Sequence, residues 1–449
     1  MKLVSLFSGA GGLDSGFAST NQYKTVLANE ILEKPAETYK NNFKNSTMFN
    51  GSIENLDFNV IRNEEIDVAI GGPPCQDFSI LRGSNYRKGT SVSRGRLYSH
   101  FIRGLKYIQP KVFVFENVPG LISANDGLAY KTIMEDFSNL NIRWEEVKNI
   151  VGNHGFSEKL NGYELMFNDV VDFRKLGLPQ IRKRLIIIGL RKDLAKTLVK
   201  KDLIDIKKEM KLLLDGGETL FSECPLTPIE IFEGKILPDL QDYYENVMKD
   251  YNNIWNEVKT QKALLWKKKI WDSLSFDVKK DYVFFNGCKC NEMKFDEAMD
   301  QHESLLKELK YANKSIRGLD LPDGSNAIQA EGKSVIERMK YIPPWENHEF
   351  VKGTKWTVKG LMSNIYRRIH PIVPSPTVIA YGGGGTWGYH FEKSRGKLTN
   401  RERARLQTFP DNFMFSGRFG DVRAQIGEAV PPLAGKRIAE LVETVLHKI

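Results

Sequence analysis

Gly71-Gly-Pro-Pro-Cys75-Gln-Asp-Phe-Ser79 sets a cysteine behind two prolines, just beyond the apolar run Ile66–Ile70. A lone cysteine is ordinarily a buried structural side chain. Here the rigid prolines, the polar neighbours and a basic tract from Arg82 onward favour a thiolate nucleophile, because nearby positive charge lowers a thiol's pKa. Glu116 ends a second apolar run, Lys111–Phe115, ahead of Asn-Val-Pro-Gly120. It reads either as a cap for the turn or as an acid in a partly dry site with a raised pKa. In Gln180-Ile-Arg182-Lys-Arg184, which leads into Leu-Ile-Ile-Ile-Gly189, a strand would turn both arginines to one face. Two guanidinium forks there suit a carboxylate, a phosphate or a base carbonyl.

Phe7-Ser-Gly-Ala-Gly-Gly12 lies between an apolar run and a helix start, so its backbone can approach a nucleotide-like ligand. Glu30, 18 residues after Gly12, can accept hydrogen bonds from ribose hydroxyls. A glycine turn alone merely shortens a connection, but turn and acid together fit an adenosine-type cofactor. The spacing is not the G-x-G-x-x-G of dehydrogenases. Basic residues gather in two acid-free stretches. The first, 79–114, holds Arg82, Arg87, Lys88, Arg94, Arg96, Arg103, Lys106 and Lys111; the second, 351–370, holds Lys352, Lys355, Lys359, Arg367 and Arg368 beside Trp356 and Tyr366. Such runs suit a phosphate backbone, and each alone also fits a solvated basic face.

The elements that must position these groups alternate over the first 190 residues: strands at Lys2–Phe7, Lys24–Asn29, Ile66–Ile70, Lys111–Phe115 and Leu185–Gly189, with helices starting near Leu13 and Glu33. That rhythm predicts an α/β chain with a doubly wound, mostly parallel sheet, whose ligands bind at the carboxyl ends of the strands. From 191 to 396 the texture changes to charged helical segments and several tryptophans, closing with the Pro/Gly-rich tract His370–Tyr389; a smaller module of mixed structure is expected there. Residues 397–449 read as a C-terminal segment with a capping box at Thr399 and Glu402 and a last helix from about Pro432 to Leu446.

The 449 residues carry a net charge of +9 and are 41% hydrophobic, which excludes disordered and fibrous classes. No apolar run is long enough to span a membrane, so a soluble, cytoplasmic protein is expected. Four cysteines, Cys75, Cys224, Cys288 and Cys290, do not make a disulfide scaffold. Cys288-Lys-Cys290 has only His302 close by and no second pair, so no metal site is expected.

In order along the chain, FSGAGG, Glu30, GGPPCQDFS, ENVPG, QIRKR, PSPTVIAYGGGG, RERARLQTFPDNF and QIGEAVPP resemble the DNA (cytosine-5) methyltransferases of bacterial restriction systems. The likeness covers about 1–190 and 365–445, and the middle module falls where that family places its target-recognition domain. The resemblance implies an S-adenosylmethionine-dependent methyltransferase fold, with S-adenosylhomocysteine as product, acting on double-stranded DNA. It makes Cys75 the nucleophile toward cytosine carbon 6, Glu116 the partner of N3 and the exocyclic amine, and Arg182 and Arg184 a catalytic pair. For the cofactor it implies Phe7, Gly9, Ala10, Gly11, Gly12, Glu30, Ile31, Ser52, Ile53, Pro74, Leu97, Glu428, Ala429 and Val430. For DNA it implies Gln76, Ser79 and the loop arginines and lysine Arg82, Arg87, Lys88, Arg94 and Arg96. Lys352, Lys355, Lys359 and Arg367 join these as basic candidates.

The chain departs from the family where Gly51-Ser52-Ile53 replaces the frequent Gly-Asp-Ile, where Ile31 replaces an aromatic residue, and where Glu428 stands for a frequent Asn. A monomer, with a separate cognate restriction endonuclease, is the expected setting. An RNA (tRNA) methyltransferase with the same chemistry and a non-catalytic DNA-binding protein are the alternatives. The long middle module favours DNA, and the presence of Cys75 and Glu116 favours catalysis.

Overall fold

The computed structural model describes residues 1–74, 97–140, 161–217, 219–289, 291–358, 365–381 and 388–449. Seven strands form one sheet: β1 (Lys2–Leu6), β2 (Lys24–Glu30), β3 (Thr47–Asn50), β4 (Val68–Gly71), β5 (Val112–Asn117), β6 (Tyr163–Asp172) and β7 (Lys183–Arg191), in the order β3-β2-β1-β4-β5-β7-β6. The first five are mutually parallel, and β7 runs antiparallel to both β5 and β6. The mostly parallel α/β sheet matches the expectation. Two strands were not legible beforehand. β3 has four residues, none fully buried, and β6 mixes exposed polar positions into its ten.

Period-two alternation divides β5 between two cores: Val112 and Val114 face one side of the sheet, Phe113 and Phe115 the other. The second side is closed by the helices Leu97–Ile108 and Leu128–Asn139, through Phe101, Ile102, Ile133 and Phe137. The first side continues without a break into Ile229, Phe232, Phe391, Leu406 and the C-terminal helix Pro432–His447. That helix lies directly on the first helix, Gly12–Ser19. A Cβ on Gly16 would fall 2.4 Å from Lys436 N and Pro432 O, so backbone meets backbone with no room for a side chain.

The middle segment differs from the mixed structure expected. Among the described residues, 192–339 hold helices, 3-10 turns and loops and no named strand. The helix Lys200–Leu214, just past the expected boundary at 190, packs on β6 and buries Ile206, Met210 and Leu214 in the core of the sheet. A separate small core, with Tyr251, Trp255, Trp266, Ile342, Phe350 and Tyr389, marks the outlying part of the module. Among the described residues no helix is long and apolar enough to cross a membrane.

Candidate active site

The loops after β1, β2, β4 and β5 meet at one edge of the sheet, as parallel strands require. After β1, Phe7 takes a left-handed φ of 56°, costly for an aromatic residue, and Gly9 and Gly11 follow at 56° and 90°. A Cβ on Gly9 would meet nothing within 4 Å, so this stretch of backbone borders open space. Glu30 sits at the tip of β2 and is 8% exposed. Its carboxylate accepts from Gly9 N at 2.9 Å and Leu32 N at 2.8 Å, while burial raises its pKa above the usual carboxylate range. The acid therefore braces the glycine turn while lying at the rim of that space. Beside it Ile31 is 62% exposed and so offers an apolar side chain to the same rim.

The C-terminal segment completes this rim. A Cβ on Gly12 would lie 2.3 Å from Val430 O and 2.9 Å from Ala429 Cβ, and the charge of Glu428 is felt at Glu30. Ser52 caps a 3-10 turn by accepting from Glu54 N at 3.3 Å, and Ile53 is buried. Asn29 Nδ2 donates to Gly51 O at 2.9 Å, tying that loop to β2. Thus Phe7, Gly9, Ala10, Gly11, Gly12, Glu30 and Ile31 share one edge with Ala429, Val430 and Glu428. Leu97 opens its helix and packs against the same core as Phe7. The exposed Ile31, the open Gly9 backbone and the buried acid fit a ligand carrying an apolar ring system and hydroxyl groups. One contributor went unread: Asp14, buried in the first turn of its helix. It accepts from Ser5 Oγ at 2.9 Å and Tyr39 OH at 2.8 Å, and burial pushes its pKa up to about 6. An acid three residues past Gly11 in a first helical turn was the available signal.

At the tip of β5, Glu116 pairs with Arg184: Nε to Oε1 is 2.9 Å, with both side chains mostly buried. The topology causes this. Because β7 is antiparallel to β5, its first residues lie beside the last of β5, with Asn117 opposite Leu185. Burial raises the Glu116 pKa, and the charges of Arg184 and Arg182 oppose that rise. Gly72 is the close neighbour: a Cβ there would lie 2.9 Å from Glu116 Oε2. Asn117 Nδ2 donates to Pro73 O at 3.2 Å, and Asn117 Oδ1 accepts from Val118 N at 2.8 Å. Asn117 was missed as a positioning residue, although it stands next to the singled-out Glu116. Gly72, Pro73 and the exposed Pro74 lead directly to residue 75. Cys75 itself, with Gln76, Ser79, Arg82, Arg87, Lys88, Arg94 and Arg96, lies outside the described residues.

The two arginines do not act alike. Arg182 is 1% exposed, and its guanidinium donates to the carbonyls of Val378 (3.2 Å), Gly427 (3.2 Å) and Ala429 (2.8 Å). The expectation of two forks offered to a ligand is corrected: Arg182 is committed to stapling the C-terminal segment to the sheet edge. Arg184 alone stands against Glu116. The RERAR arginines are similarly internal, with Arg401 paired to Asp323 at 2.9 Å and Arg405 to Asp411 at 2.6 Å. The Thr399 capping box forms as expected, Glu402 N donating to Thr399 Oγ1 at 3.0 Å.

Of the second basic stretch, Lys352 and Lys355 are exposed and Lys359 lies outside the described residues. Arg367 is half-buried, whereas Arg368 is fully buried and cannot meet phosphate. Cys288 donates to Glu223 O, Cys290 lies outside the described residues, and His302 is held between Glu230 (2.9 Å) and Cys224 O (3.0 Å). Among the described residues no three His, Cys, Asp or Glu side chains cluster for a metal.

Residues 1–444 match the family model of the C-5 cytosine-specific DNA methylases. The chain is 52% identical over 468 residues to the DNA (cytosine-5-)-methyltransferase M.ApeKI of Aeropyrum pernix, covering 99% of each. It is 32% identical over 446 residues to the type II methyltransferase M.NgoFVII of Neisseria gonorrhoeae, covering 99% of this chain and 86% of the relative. The fold resembles that of a prophage-encoded E. coli protein, with TM-score 0.55, 21% identity and coverage of 100% and 99%. A chain whose sheet edge brings Glu116, Arg184 and the approach to Cys75 beside a nucleotide-type loop, and whose whole length matches these relatives, belongs to the C-5 cytosine-specific DNA methylases and is a DNA cytosine-5 methyltransferase.

Proposed function

We propose that the chain methylates carbon 5 of a cytosine flipped out of a specific duplex site, with Cys75 as nucleophile and S-adenosylmethionine as methyl donor. The observation that carries the site assignment is the buried Glu116–Arg184 pair at 2.9 Å, set against Gly72 and Pro73 on the approach to Cys75. Inside a duplex the base is out of reach, so it must leave the stack first.

Carbon 5 is too weak a nucleophile to accept a methyl group from the resting base. The Cys75 thiolate adds to carbon 6, forming a C–S bond, and the ring electrons move toward N3. Glu116, its pKa raised by burial, donates a proton or hydrogen bond at N3 and holds the exocyclic amine. Arg184 keeps the Glu116 carboxyl oriented and would meet the base carbonyl oxygen. When bound, the donor supplies an electrophilic methyl group on a sulfonium. Carbon 5 takes the methyl as the N3=C4 bond re-forms and N3 returns its proton to Glu116; carbon 5 then loses its own proton to solvent or a base, and the C–S bond breaks to return the thiolate. Phe7 and Ile31 would hold the adenine, Glu30 the ribose, and Gly9, Ala10, Gly11 and Gly12 the methionine end, with Ser52, Ile53, Pro74, Leu97, Glu428, Ala429 and Val430 completing the shell. Arg182 is a positioning residue in this reading.

Gln76, Ser79 and the basic side chains from Arg82 to Arg96 would close on the flipped nucleotide, and Lys352, Lys355 and Lys359 on backbone phosphates. In this reading 1–190, 191–396 and 397–449 are the functional division, the helix Lys200–Leu214 of the second part bracing the sheet and the module around the third core acting as the DNA reader. A monomer is the acting form in this reading. The type II names of relatives support a cytoplasmic role protecting host DNA from a separate cognate nuclease. The test is a duplex pool containing 5-fluorocytosine, mixed with the donor and protein. A denaturation-resistant adduct that disappears in Cys75→Ser is expected, because fluorine cannot leave as a proton does. An adduct that survives the substitution overturns Cys75 as nucleophile.

A further inference from the structure

Residues 365–369 are pinned along both sides. Trp345 N donates to Arg368 O and Arg368 N to Glu346 O, both at 3.0 Å, while Gly388 N donates to Arg367 O at 3.1 Å and Ile369 N to Tyr389 O at 3.0 Å. In extended backbone successive side chains point to opposite sides. Arg368 turns inward and spends its donors on carbonyls: Nε on Ile342 O at 2.8 Å, Nη2 on Met339 O at 2.6 Å, and Nη1 on Glu392 O at 2.6 Å and on His390 O. Its neighbour Arg367 behaves otherwise. The Arg367 guanidinium carbon lies 5.5 Å from the centre of the Trp345 ring, its Nε is buried with no hydrogen-bond partner, and among the described residues it makes no ion pair. Glu346, the acid whose carboxyl feels the Arg367 charge, is bound to Lys262 at 3.0 Å.

Trp345 itself takes a left-handed φ of 67°, and Tyr366, next to Arg367, one of 57°. Two bulky aromatic residues in that region are strained and must be held by their surroundings. A half-buried guanidinium without partners is costly unless a ligand supplies them. A guanidinium held over an indole face by cation–π attraction keeps its fork in place, which suits a rigid, planar pair of acceptors. The exposed lysines Lys352 and Lys355 suit phosphate, for which direction matters little. We infer that Arg367, held over the Trp345 ring, is a specificity-determining residue that reads O6 and N7 of one guanine in the recognised site. The inference rests on DNA as the substrate and goes beyond a backbone contact.

The full-length protein, Arg367→Lys and Trp345→Leu are each given the methyl donor and a randomised duplex pool, and the methylated products are sequenced. The wild type is expected to select a site containing guanine. Arg367→Lys, which keeps the charge and loses the fork, is expected to lose preference at one guanine position by roughly ten- to a hundredfold while the other positions stay as they were. Its affinity for bulk duplex and the salt slope of that affinity are expected to match the wild type. Trp345→Leu is expected to relax the same position in part. An unchanged site in Arg367→Lys overturns the inference, as does a uniform fall in methylation over all sequences, which would make Arg367 a phosphate contact. Relaxation at a different position in Trp345→Leu removes the indole from it. A wild type that leaves every duplex unmethylated overturns the enzymatic reading and this one with it.

Discussion

In the proposed mechanism Glu116 is the residue on which the chemistry turns, and its buried pairing with Arg184 bears on that role. A carboxyl with burial against it and two guanidiniums for it holds its proton more tightly than a free glutamate while staying oriented. Glu116→Gln keeps the shape and a hydrogen bond but cannot transfer a proton. We expect methyl transfer on duplex DNA to fall by about 10²- to 10⁴-fold, with donor affinity close to the wild type in equilibrium binding. Unaltered turnover would show that N3 needs no proton from this side chain. Because the Glu116 pKa is raised, its protonated form lasts to higher pH than an ordinary carboxyl, and any loss of rate carried by its ionisation falls above the usual carboxylate range. In the sequence this position read either as a cap or as an acid. The structure supplies what spacing could not: β7 is antiparallel, so a strand distant in sequence delivers Arg184 to it.

At the scale of elements, the contact between the first and last helices decides how the rim proposed for the methyl donor is assembled. Gly16 and Gly435 let the two helices approach until backbones touch, and the turn before the last helix then sets Ala429 and Val430 against Gly12. Gly16→Ala places a methyl where Lys436 N and Pro432 O stand 2.4 Å away. The helices must separate, at a cost of about 1–3 kcal/mol in denaturant unfolding. The same displacement moves Ala429 and Val430 off the glycine loop, so weaker donor binding is expected in titration. Stability lost with donor affinity intact would uncouple the two elements. Arg182 works at this scale too, its three carbonyl bonds holding the returning segment to the sheet edge. A dipeptide period placed Arg182 and Arg184 on one face, and only packing showed that one of them is already occupied.

For the whole molecule, charge is divided by use. The RERAR arginines and Arg368 are buried against carbonyls and acids, whereas Lys352 and Lys355 stand exposed on the outlying module, Lys355 lying 4.9 Å from the Trp356 ring. Replacing both lysines by Gln is expected to weaken binding to all duplex sequences alike and to lower the slope of log affinity against log salt by about 2, read from binding isotherms at several salt concentrations. An unaltered slope would exclude them from the DNA path. Sequence alone was enough for the alternating sheet, the order of motifs and the capping box, because these depend on local propensity and short-range spacing, and its motif order offered the candidate residues through a family resemblance. Tertiary structure alone decided that β7 reverses and brings Arg184 to Glu116, and that Asn117 and Gly72 shape the approach to Cys75. It alone set the C-terminal helix against the glycine loop and separated structural from exposed cations. Those outcomes depend on which distant surfaces bury one another, and no local period records that.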